Sequence, residues 1–323
     1  MPQIATIGEA LIDLTQTGDK LPVRHYAAFP GGAPANVAVA AARLGARAAF
    51  IGKVGQDAFG HSIQQTLRDN RVDVSGLYTT TETLTTLAVV SVDDAGERSF
   101  AFYRNPGADT RLTPEEAIQA LEGYGEKPRF LHFGSVSLTA EPARSATLAA
   151  ARRARELGIL LSYDPNYRPS LWPEPQTALA RMKEPLPLCQ VLKLAEEELA
   201  LLTGLRNPEE GTLSLWQAFR TPLVVITLGA EGCFYRMGER TGQIPAPSIT
   251  VADTNGAGDT FLGALLSRLI PEESLEQLTT EALEKALSFA NQAAALTCTR
   301  PGAIPAMPRL EEVAENTEEA FSL

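Results

Sequence analysis

Short runs of apolar residues alternate with longer stretches of helical periodicity along most of the chain. A run of about four to eight apolar residues suits a strand that is buried on both faces. The predicted strands are residues 4–8, 48–52, 130–133, 159–163, 191–194 and 223–228. The predicted helices are residues 34–45, 59–70, 142–157, 260–270 and 283–297, together with a helix that follows the fifth strand and ends at 202. This alternation predicts an α/β fold in which helices cover both faces of a mostly parallel sheet.

Two segments, approximately residues 11–30 and 85–105, have a different pattern, in which apolar and polar residues alternate. Within the second segment, residues 86–92 and 99–104 predict a hairpin with a polar turn at 93–98. Half-buried antiparallel strands of this kind do not belong in the middle of a parallel sheet. We therefore expect a small β-sheet, a candidate lid, inserted in a single domain that spans residues 1–323.

The composition fits one large globular domain, because 44% of the 323 residues are hydrophobic. The formal net charge of −11 repels nucleic acid and anionic membranes, so we expect neither as a partner. The N-terminus has no basic region and no cleavage site of small residues, which predicts a cytoplasmic protein without a signal peptide. Three widely spaced cysteines, at positions 189, 233 and 298, predict neither a disulfide framework nor a zinc site.

The clearest chemical signal is the run DTNGAGDTF at residues 253–261, ahead of an apolar helix. Gly256 and Gly258 have no Cβ atom, so the backbone can turn tightly and present successive N–H groups. The helix that follows directs its positive dipole end at the same place, which suits the charge of a phosphoryl group. Asp259 at the helix start is placed to accept a proton from an attacking hydroxyl. The alternative is an aspartate that only begins a helix beside a glycine turn.

This run resembles the C-terminal signature of the ribokinase-like sugar kinases, the PfkB family. The family's other signature is similar to residues 31–38, continuing through 43–45 and 51–60, and the resemblance extends from about residue 4 to about residue 303. The opening IGEALIDL and the run DPNYRPSLW at 164–172 look most like bacterial fructokinases. The resemblance implies a ribokinase-like fold and transfer of the ATP γ-phosphate to a sugar hydroxyl, most simply that of fructose. It makes Asp259 the catalytic base, with the N–H groups of Gly256, Ala257 and Gly258 stabilising the phosphoryl oxygens.

Several residues are candidates for binding the sugar. Gly31 and Gly32 permit close approach of the backbone to a polyol, and Asn36 offers both a donor and an acceptor. The alternative is a glycine turn that only caps a helix. The resemblance implies that Asp13 accepts two adjacent hydroxyls, although an exposed loop acid would have the same sequence.

Further candidates follow the ends of predicted strands. An aromatic ring at Phe102 can cover the apolar face of a sugar, and Arg104 can bind a hydroxyl or a ring substituent. Ordinary hairpin packing with a solvated arginine is the alternative for this pair. Arg168 follows the strand at 159–163, and residues beyond the carboxyl ends of parallel strands face the crevice of such a sheet. Arg168 could there reach the sugar or the ATP phosphates.

The nucleotide and metal candidates lie in the second half of the chain. Glu198 occupies the glutamate position of the family's Asn-x-x-Glu motif, which implies a role in Mg²⁺ binding through water, but Ala195 stands where the motif has asparagine. The resemblance implies that Gly302, after Pro301, lies near where family members bind a monovalent cation such as K⁺, together with the region of Asp253. The remaining candidates for ATP are Lys193 at a strand end, the loop residues Thr227, Gly229 and Gly232, and the helical Asn291.

Alternatives to fructose remain open from the sequence. Residues 96–100 and 106–110 are similar to aminoimidazole riboside kinase, and 2-keto-3-deoxygluconate kinase is a second alternative. A sugar-binding regulator without activity is an alternative from another class, although such a protein has no need of Asp259. A NAD-dependent Rossmann enzyme is excluded by the lack of a GxGxxG run after the first strand. The half-exposed lid strands offer edges for a second copy, so we expect a homodimer through the lid.

Overall fold

The computed structural model describes residues 1–17, 25–92, 98–272 and 274–314. These residues form thirteen strands: β1 (Ile4–Ile7), β2 (Leu11–Thr17), β3 (His25–Gly31), β4 (Ala48–Gly55), β5 (Asp73–Thr80), β6 (Leu87–Val92), β7 (Arg98–Tyr103), β8 (Phe130–Gly134), β9 (Leu160–Asp164), β10 (Val191–Ala195), β11 (Leu223–Thr227), β12 (Cys233–Met237) and β13 (Arg240–Ile244). The α-helices in the same ranges are α1 (Ala33–Arg43), α2 (Ala58–Asp69), α3 (Pro114–Gly123), α4 (Ala143–Glu156), α5 (Pro175–Lys183), α6 (Glu196–Thr203), α7 (Pro208–Phe219), α8 (Ala257–Leu269) and α9 (Thr280–Cys298).

The larger sheet has nine strands in the order β13-β12-β11-β10-β9-β8-β1-β4-β5. In this sheet the seven neighbouring strands β11, β10, β9, β8, β1, β4 and β5 are parallel, and only β12 and β13 at one edge are antiparallel. The buried apolar runs cause this arrangement, since strands covered on both faces have no polar face to turn towards water. The prediction of a mostly parallel sheet is confirmed.

Two apolar clusters cover the two faces of this sheet. One joins Ile4 and Phe50 of the sheet to side chains of α1, α2, α8 and α9. The other joins Ile7 and Phe133 to side chains of the helices from α3 to α7. Helices therefore lie on both faces, as the sequence predicts. None of the helices in the described part of the chain has the length and apolar character needed to cross a membrane.

The smaller sheet has four strands in the order β3-β2-β6-β7 and contains both segments that the alternating pattern indicated. The pairs β2–β3 and β6–β7 are antiparallel. At the centre of this sheet, β2 and β6 are parallel, with Ile12 opposite Leu87. The two strands run the same way because β2 follows β1, and β6 follows β5, from the carboxyl edge of the larger sheet. Most of the predicted turn, residues 93–97, lies outside the described residues.

The observed start of α8 differs from the predicted start. This helix begins at Ala257 rather than at residue 260, because Gly256 adopts a left-handed conformation (φ 76°) and starts the helix early. Asp259 consequently lies in the first turn of α8. Six further elements, most of them short or of mixed polarity, have no separate counterpart among the predicted strands and helices: β5, α3, α5, α7, β12 and β13.

Candidate active site

Three adjoining cavities lie at the carboxyl edge of the larger sheet, and the smaller sheet lines two of them. A cavity of about 90 Å³ is lined by residues of the smaller sheet, of α1 and of loops that follow strands of the larger sheet, and we call it the inner cavity. The middle cavity, of about 680 Å³, shares Asp13, Arg168 and Asp259 with the inner cavity. The outer cavity, of about 420 Å³, shares Thr254 and Gly258 with the middle one. The three cavities therefore form one continuous series, and Asp259 lines its inner half.

Asp259 is held by two amides from distant parts of the chain. Asn36 Nδ2 on α1 donates to Asp259 Oδ2 at 2.8 Å. Asn166 Nδ2, after β9, donates to Asp259 Oδ1 at 3.4 Å, which is a long bond. The carboxylate is only 9% exposed but lines both the inner and the middle cavity. Both of its oxygens are therefore oriented before any substrate arrives.

The surroundings of Asp259 favour a carboxyl group that can exchange a proton near neutral pH. Burial raises its pKa to about 6, the bond from Asn36 lowers it, the charge of Asp164 raises it, and Lys193 and Arg168 lower it. A carboxylate with this pKa is a stronger base than an exposed aspartate, yet it remains mostly ionised at pH 7. These are the properties of a general base.

The glycine turn before Asp259 has little room for side chains. A Cβ atom at Gly256 would lie 2.9 Å from the Cβ of Ala303, and one at Gly258 would lie 3.0 Å from Lys193 Nζ. Gly256 and Gly258 line the middle cavity, and Ala257 lines the outer one. The N–H of Ala257 donates to Thr254 O at 3.3 Å. The turn thus places the amino-terminal end of α8, with its partial positive charge, between the two cavities.

Most of the predicted sugar residues meet in the inner cavity. Its lining includes Asp13, Gly32, Asn36, Phe102 and Arg168. Burial raises the pKa of Asp13 to about 7, with Arg168 lowering it and Asp259 raising it. Gly31 does not line this cavity; a Cβ there would lie 2.5 Å from Asp13 Oδ2, so Gly31 makes room for that carboxylate.

Arg104 is placed differently from the other sugar candidates. Its Nε donates to Asp109 Oδ2 at 2.7 Å, Nη1 donates to Thr139 Oγ1 at 2.5 Å, and Nη2 donates to Val136 O at 3.0 Å. Arg104 is buried and lines none of the three cavities. The structure therefore uses this guanidinium to join the end of β7 to the main body, which differs from both the substrate contact and the solvated arginine considered above.

Lys193 lies beside the glycine turn and lines the middle cavity. Its Nζ forms a buried ion pair of 2.9 Å with Asp164 Oδ2. Burial lowers the pKa of this lysine, but the charges of Asp164, Glu198 and Asp259 outweigh burial and raise the pKa above its ordinary value. Lys193 is therefore a permanent cation next to the predicted phosphoryl site.

Glu198 is buried, and both its carboxylate oxygens accept backbone bonds. Oε1 accepts from the N–H of Tyr167 at 2.7 Å and Oε2 accepts from that of Ala195 at 2.8 Å. Asp164 is the carboxylate of this group that faces the middle cavity. Among the described residues no cluster of three or more His, Cys, Asp or Glu side chains could hold a metal ion. The two carboxylates of Asp164 and Glu198 fit Mg²⁺, because proteins hold this ion with one or two carboxylates plus phosphates and water.

Most of the predicted nucleotide residues meet in the outer cavity, whereas Lys193 and Gly256 line the middle cavity. Thr227, Gly229, Gly232 and Asn291 all line it, together with apolar side chains such as Phe261. Asn291 Nδ2 donates to Ile244 O at 3.0 Å, which fixes the side chain against the end of β13. A largely apolar cleft with a few fixed polar groups is typical of a site for a flat ring system.

Asp253 connects the glycine turn to the C-terminal loop. Its Oδ1 accepts from the N–H of Asn255 at 3.0 Å and its Oδ2 accepts from the N–H of Gly302 at 3.0 Å. Both Asp253 and Gly302 line the middle cavity. The structure thus brings together the two residues that the sequence associated with a monovalent cation.

Glu9, Asp164 and Asn166 are among the cavity residues that were given no role from the sequence. Asn166 has a left-handed backbone (φ 49°), which asparagine tolerates better than most residues. Glu9 and Asp164 each stand next to a predicted strand end, which is the signal that could have identified them. Single acidic residues after a strand are common, however, so this signal selects no particular one.

Comparisons with known proteins give a consistent result. Residues 1–310 match the pfkB family carbohydrate kinase profile. Fructokinase-1 of Oryza sativa subsp. japonica is 42% identical over 321 residues, 98% of each chain. A crystal structure of fructokinase with bound ATP from Xylella fastidiosa is 34% identical with a TM-score of 0.91, over 99% of this chain and 100% of that one. A fructokinase double mutant from Vibrio cholerae O395, in a fructose, ADP and potassium ion bound form, is 38% identical with a TM-score of 0.88, over 98% of both chains.

Proposed function

This chain belongs to the pfkB family of carbohydrate kinases, and on that premise we propose that it is an ATP-dependent fructokinase. The observation that carries the proposal is the position of Asp259, a buried, oriented carboxylate beside the glycine turn, between a cavity of sugar candidates and a cavity of nucleotide candidates. The three relatives described above are similar over nearly the whole chain, and all three are fructokinases.

The cavities suggest how the two substrates divide the site. Fructose occupies the inner cavity, where Asp13, Asn36 and Arg168 supply hydrogen bonds and Phe102 supplies an apolar surface. The adenosine part of ATP occupies the outer cavity, and its phosphates extend into the middle cavity towards Lys193. The γ-phosphate and one sugar hydroxyl then meet at Asp259.

Phosphoryl transfer follows from this arrangement. The sugar hydroxyl gives its proton to Asp259 while its oxygen forms a bond to the γ-phosphorus, and the bond from that phosphorus to the β–γ bridging oxygen breaks to release ADP. Asn36 holds the carboxylate in place throughout. The backbone N–H groups of the glycine turn and the ammonium of Lys193 stabilise the negative charge on the phosphoryl oxygens.

Two ions complete the proposal. Mg²⁺ would be held by the ATP phosphates and water, with Asp164 facing it and Glu198 contributing negative charge, and it would neutralise phosphate charge. Potassium is named in the bound form of the Vibrio cholerae fructokinase. We propose that the loop joined by Asp253 and Gly302 binds the same class of ion in this chain, because the hydrogen bond between them fixes the loop at the middle cavity.

The pH dependence of kcat/KM for fructose should show two acid limbs. Asp13 has a pKa of about 7 and Asp259 one of about 6, both raised by burial, and each must be ionised to accept its hydrogen bond or proton. We therefore expect log kcat/KM to fall with a slope of at least one below pH about 7 and to steepen by one further unit below pH about 6. Asp13→Asn should reduce the slope below pH about 7 by one and keep the further steepening below pH about 6. A profile that is flat between pH 5 and 8 would contradict the assignment of Asp259.

A substrate panel tests the function itself. With ATP and Mg²⁺ present, we expect kcat/KM to be highest for fructose, compared with ribose, aminoimidazole riboside and 2-keto-3-deoxygluconate. The measurement is coupled ADP release, with the sugar-free reaction as control. A higher kcat/KM with the riboside would replace fructose as the substrate, and sugar binding without ADP release would favour a non-catalytic regulator.

Three further expectations from the sequence stay predictions. The smaller sheet is proposed to act as a lid on one kinase domain, since β2 and β7 carry the cavity residues Asp13 and Phe102. A homodimer through this sheet is proposed because β3 and β7 are its edges and Tyr103 is 67% exposed. A cytoplasmic location is the third.

A further inference from the structure

Glu9 is a buried acid at the inner cavity to which the mechanism above assigns no role. It lies between β1 and β2, is only 3% exposed, and lines the cavity together with Asp13 and Asn36. Its position is fixed by its neighbours: a Cβ atom at Gly32 would lie 2.5 Å from the backbone oxygen of Glu9. The carboxyl group therefore belongs to the wall of the sugar site.

Only one oxygen of this carboxyl group has a hydrogen-bond partner. Oε1 accepts from the N–H of Ala33, the first residue of α1, at 3.2 Å. Oε2 is buried and has no partner among the described residues, and the same is true of Oδ1 of Asn36. Leaving a buried acceptor unsatisfied costs free energy. Capping α1 accounts for Oε1 but leaves Oε2 without a function.

The protein around Glu9 compensates its charge only in part and leaves Oε2 without a hydrogen bond. Burial raises the pKa of Glu9 to about 7; its own backbone N–H and the charge of Arg104 lower the pKa, the charge of Asp109 raises it, and the N–H of Ala33 lowers it. The guanidinium of Arg104 directs Nε, Nη1 and Nη2 to other acceptors, so it acts on Glu9 through its charge. Five other side chains of the inner cavity are apolar and offer no donor to Oε2: Leu11, Ala33, Ala88, Phe102 and Val136.

From these contacts we infer that Glu9 is a substrate-binding residue whose Oε2 accepts a hydrogen bond from one hydroxyl of the sugar. The inference deepens the proposed function and rests on it. A polyol is the class of ligand that brings O–H donors into a cavity of this size, and one of its hydroxyls can supply the donor that Oε2 lacks. Glu9 would thus select for a hydroxyl at one position of the sugar, because an analogue that lacks it leaves the buried acceptor unpaired.

The test is Glu9→Gln, measured with fructose and with 1-deoxy-, 3-deoxy- and 4-deoxyfructose. The amide oxygen can still accept from Ala33, but an NH₂ group replaces the acceptor at Oε2. We expect KM for fructose to rise about 10- to 100-fold while KM for ATP stays within about twofold, since a hydrogen bond to a charged group is lost. One deoxy sugar should be a poorer substrate for the wild type by a similar factor, and the variant should no longer distinguish that sugar from fructose.

Glu116→Gln is the matched control. Glu116 also caps a helix, since its Oε2 accepts from the N–H of Thr113 at 2.9 Å, but it lines none of the three cavities. Its variant should change the melting temperature and leave KM for fructose unaltered. A Glu9→Gln protein that loses the same factor with every sugar, or changes KM for ATP equally, would overturn the inference. A wild type that phosphorylates none of the sugars would overturn the proposed function first, and the inference with it.

Discussion

Asp259→Asn should lower kcat by about 10²- to 10⁴-fold and change KM for fructose and for ATP by only a few-fold. The amide has the shape of the carboxylate but cannot accept the proton of the attacking hydroxyl. Asn36 donates to the carboxylate at 2.8 Å, and an amide oxygen can take that bond, so the side chain should keep its place. Steady-state kinetics at pH 8, where the wild-type carboxylate is ionised, measures the effect directly.

Asp57→Asn is the control for this substitution. Asp57 also stands at the start of a helix, where its Oδ1 accepts from the N–H of Gly60 at 2.8 Å, and it lines none of the three cavities. Its variant should lose stability through the weakened cap while kcat remains near the wild-type value. If Asp259→Asn retained near-normal kcat, the catalytic assignment would be wrong, whatever the fold.

Gly256→Ala should lower kcat by about 10²- to 10³-fold, which is the usual effect of losing one preorganised donor to a developing negative charge. The new Cβ would lie 2.9 Å from the Cβ and 3.0 Å from the Cα of Ala303, and backbone atoms cannot move aside easily. Alanine at a φ of 76° adds a strain of about 1–2 kcal/mol. The turn therefore shifts, and its N–H groups no longer point to the phosphoryl group. We would measure kcat together with the free energy of unfolding.

The matching control is Gly238→Ala, at the turn between β12 and β13. Gly238 also has a left-handed backbone (φ 63°), but a Cβ there would meet no atom within 4 Å. This variant should have a similar backbone strain with kcat unchanged. Equal losses of stability and equal, small changes of kcat in both variants would show that the turn at Gly256 has only a structural role.

The parts of the site that the sequence predicted are those carried by local chemistry. The run at 253–261 contains the turn, the start of α8 and the acid within a few consecutive residues. Its geometry follows from two glycines and a helix start, with little help from the rest of the fold. The same holds for Gly32, which precedes α1 directly.

The parts that could not be predicted depend on contacts between distant residues. Asn36 and Asp259 are 223 positions apart, and only the finished sheet brings them to 2.8 Å. Arg104 follows β7 of the smaller sheet and could equally face a substrate; its buried ion pair with Asp109 holds it away from the cavities. The unpartnered oxygen of Glu9 has no signature in the sequence, because an unmade bond depends on every neighbour of the atom.

The candidate sugar-binding residues lie on separate parts of the fold, since Asp13 is on β2 of the smaller sheet and Asp259 is on α8. One hexose that bonds to both carboxylates cross-links the two pieces, so its binding energy is partly spent on holding them together. Such linkage is reciprocal: a nucleotide that favours the same assembled state must tighten sugar binding by the factor with which sugar tightens nucleotide binding. Cooperativity between the two substrates, measurable by calorimetry with a non-hydrolysable ATP analogue, is thus a consequence of the four-stranded sheet carrying one of the ligand-binding acids.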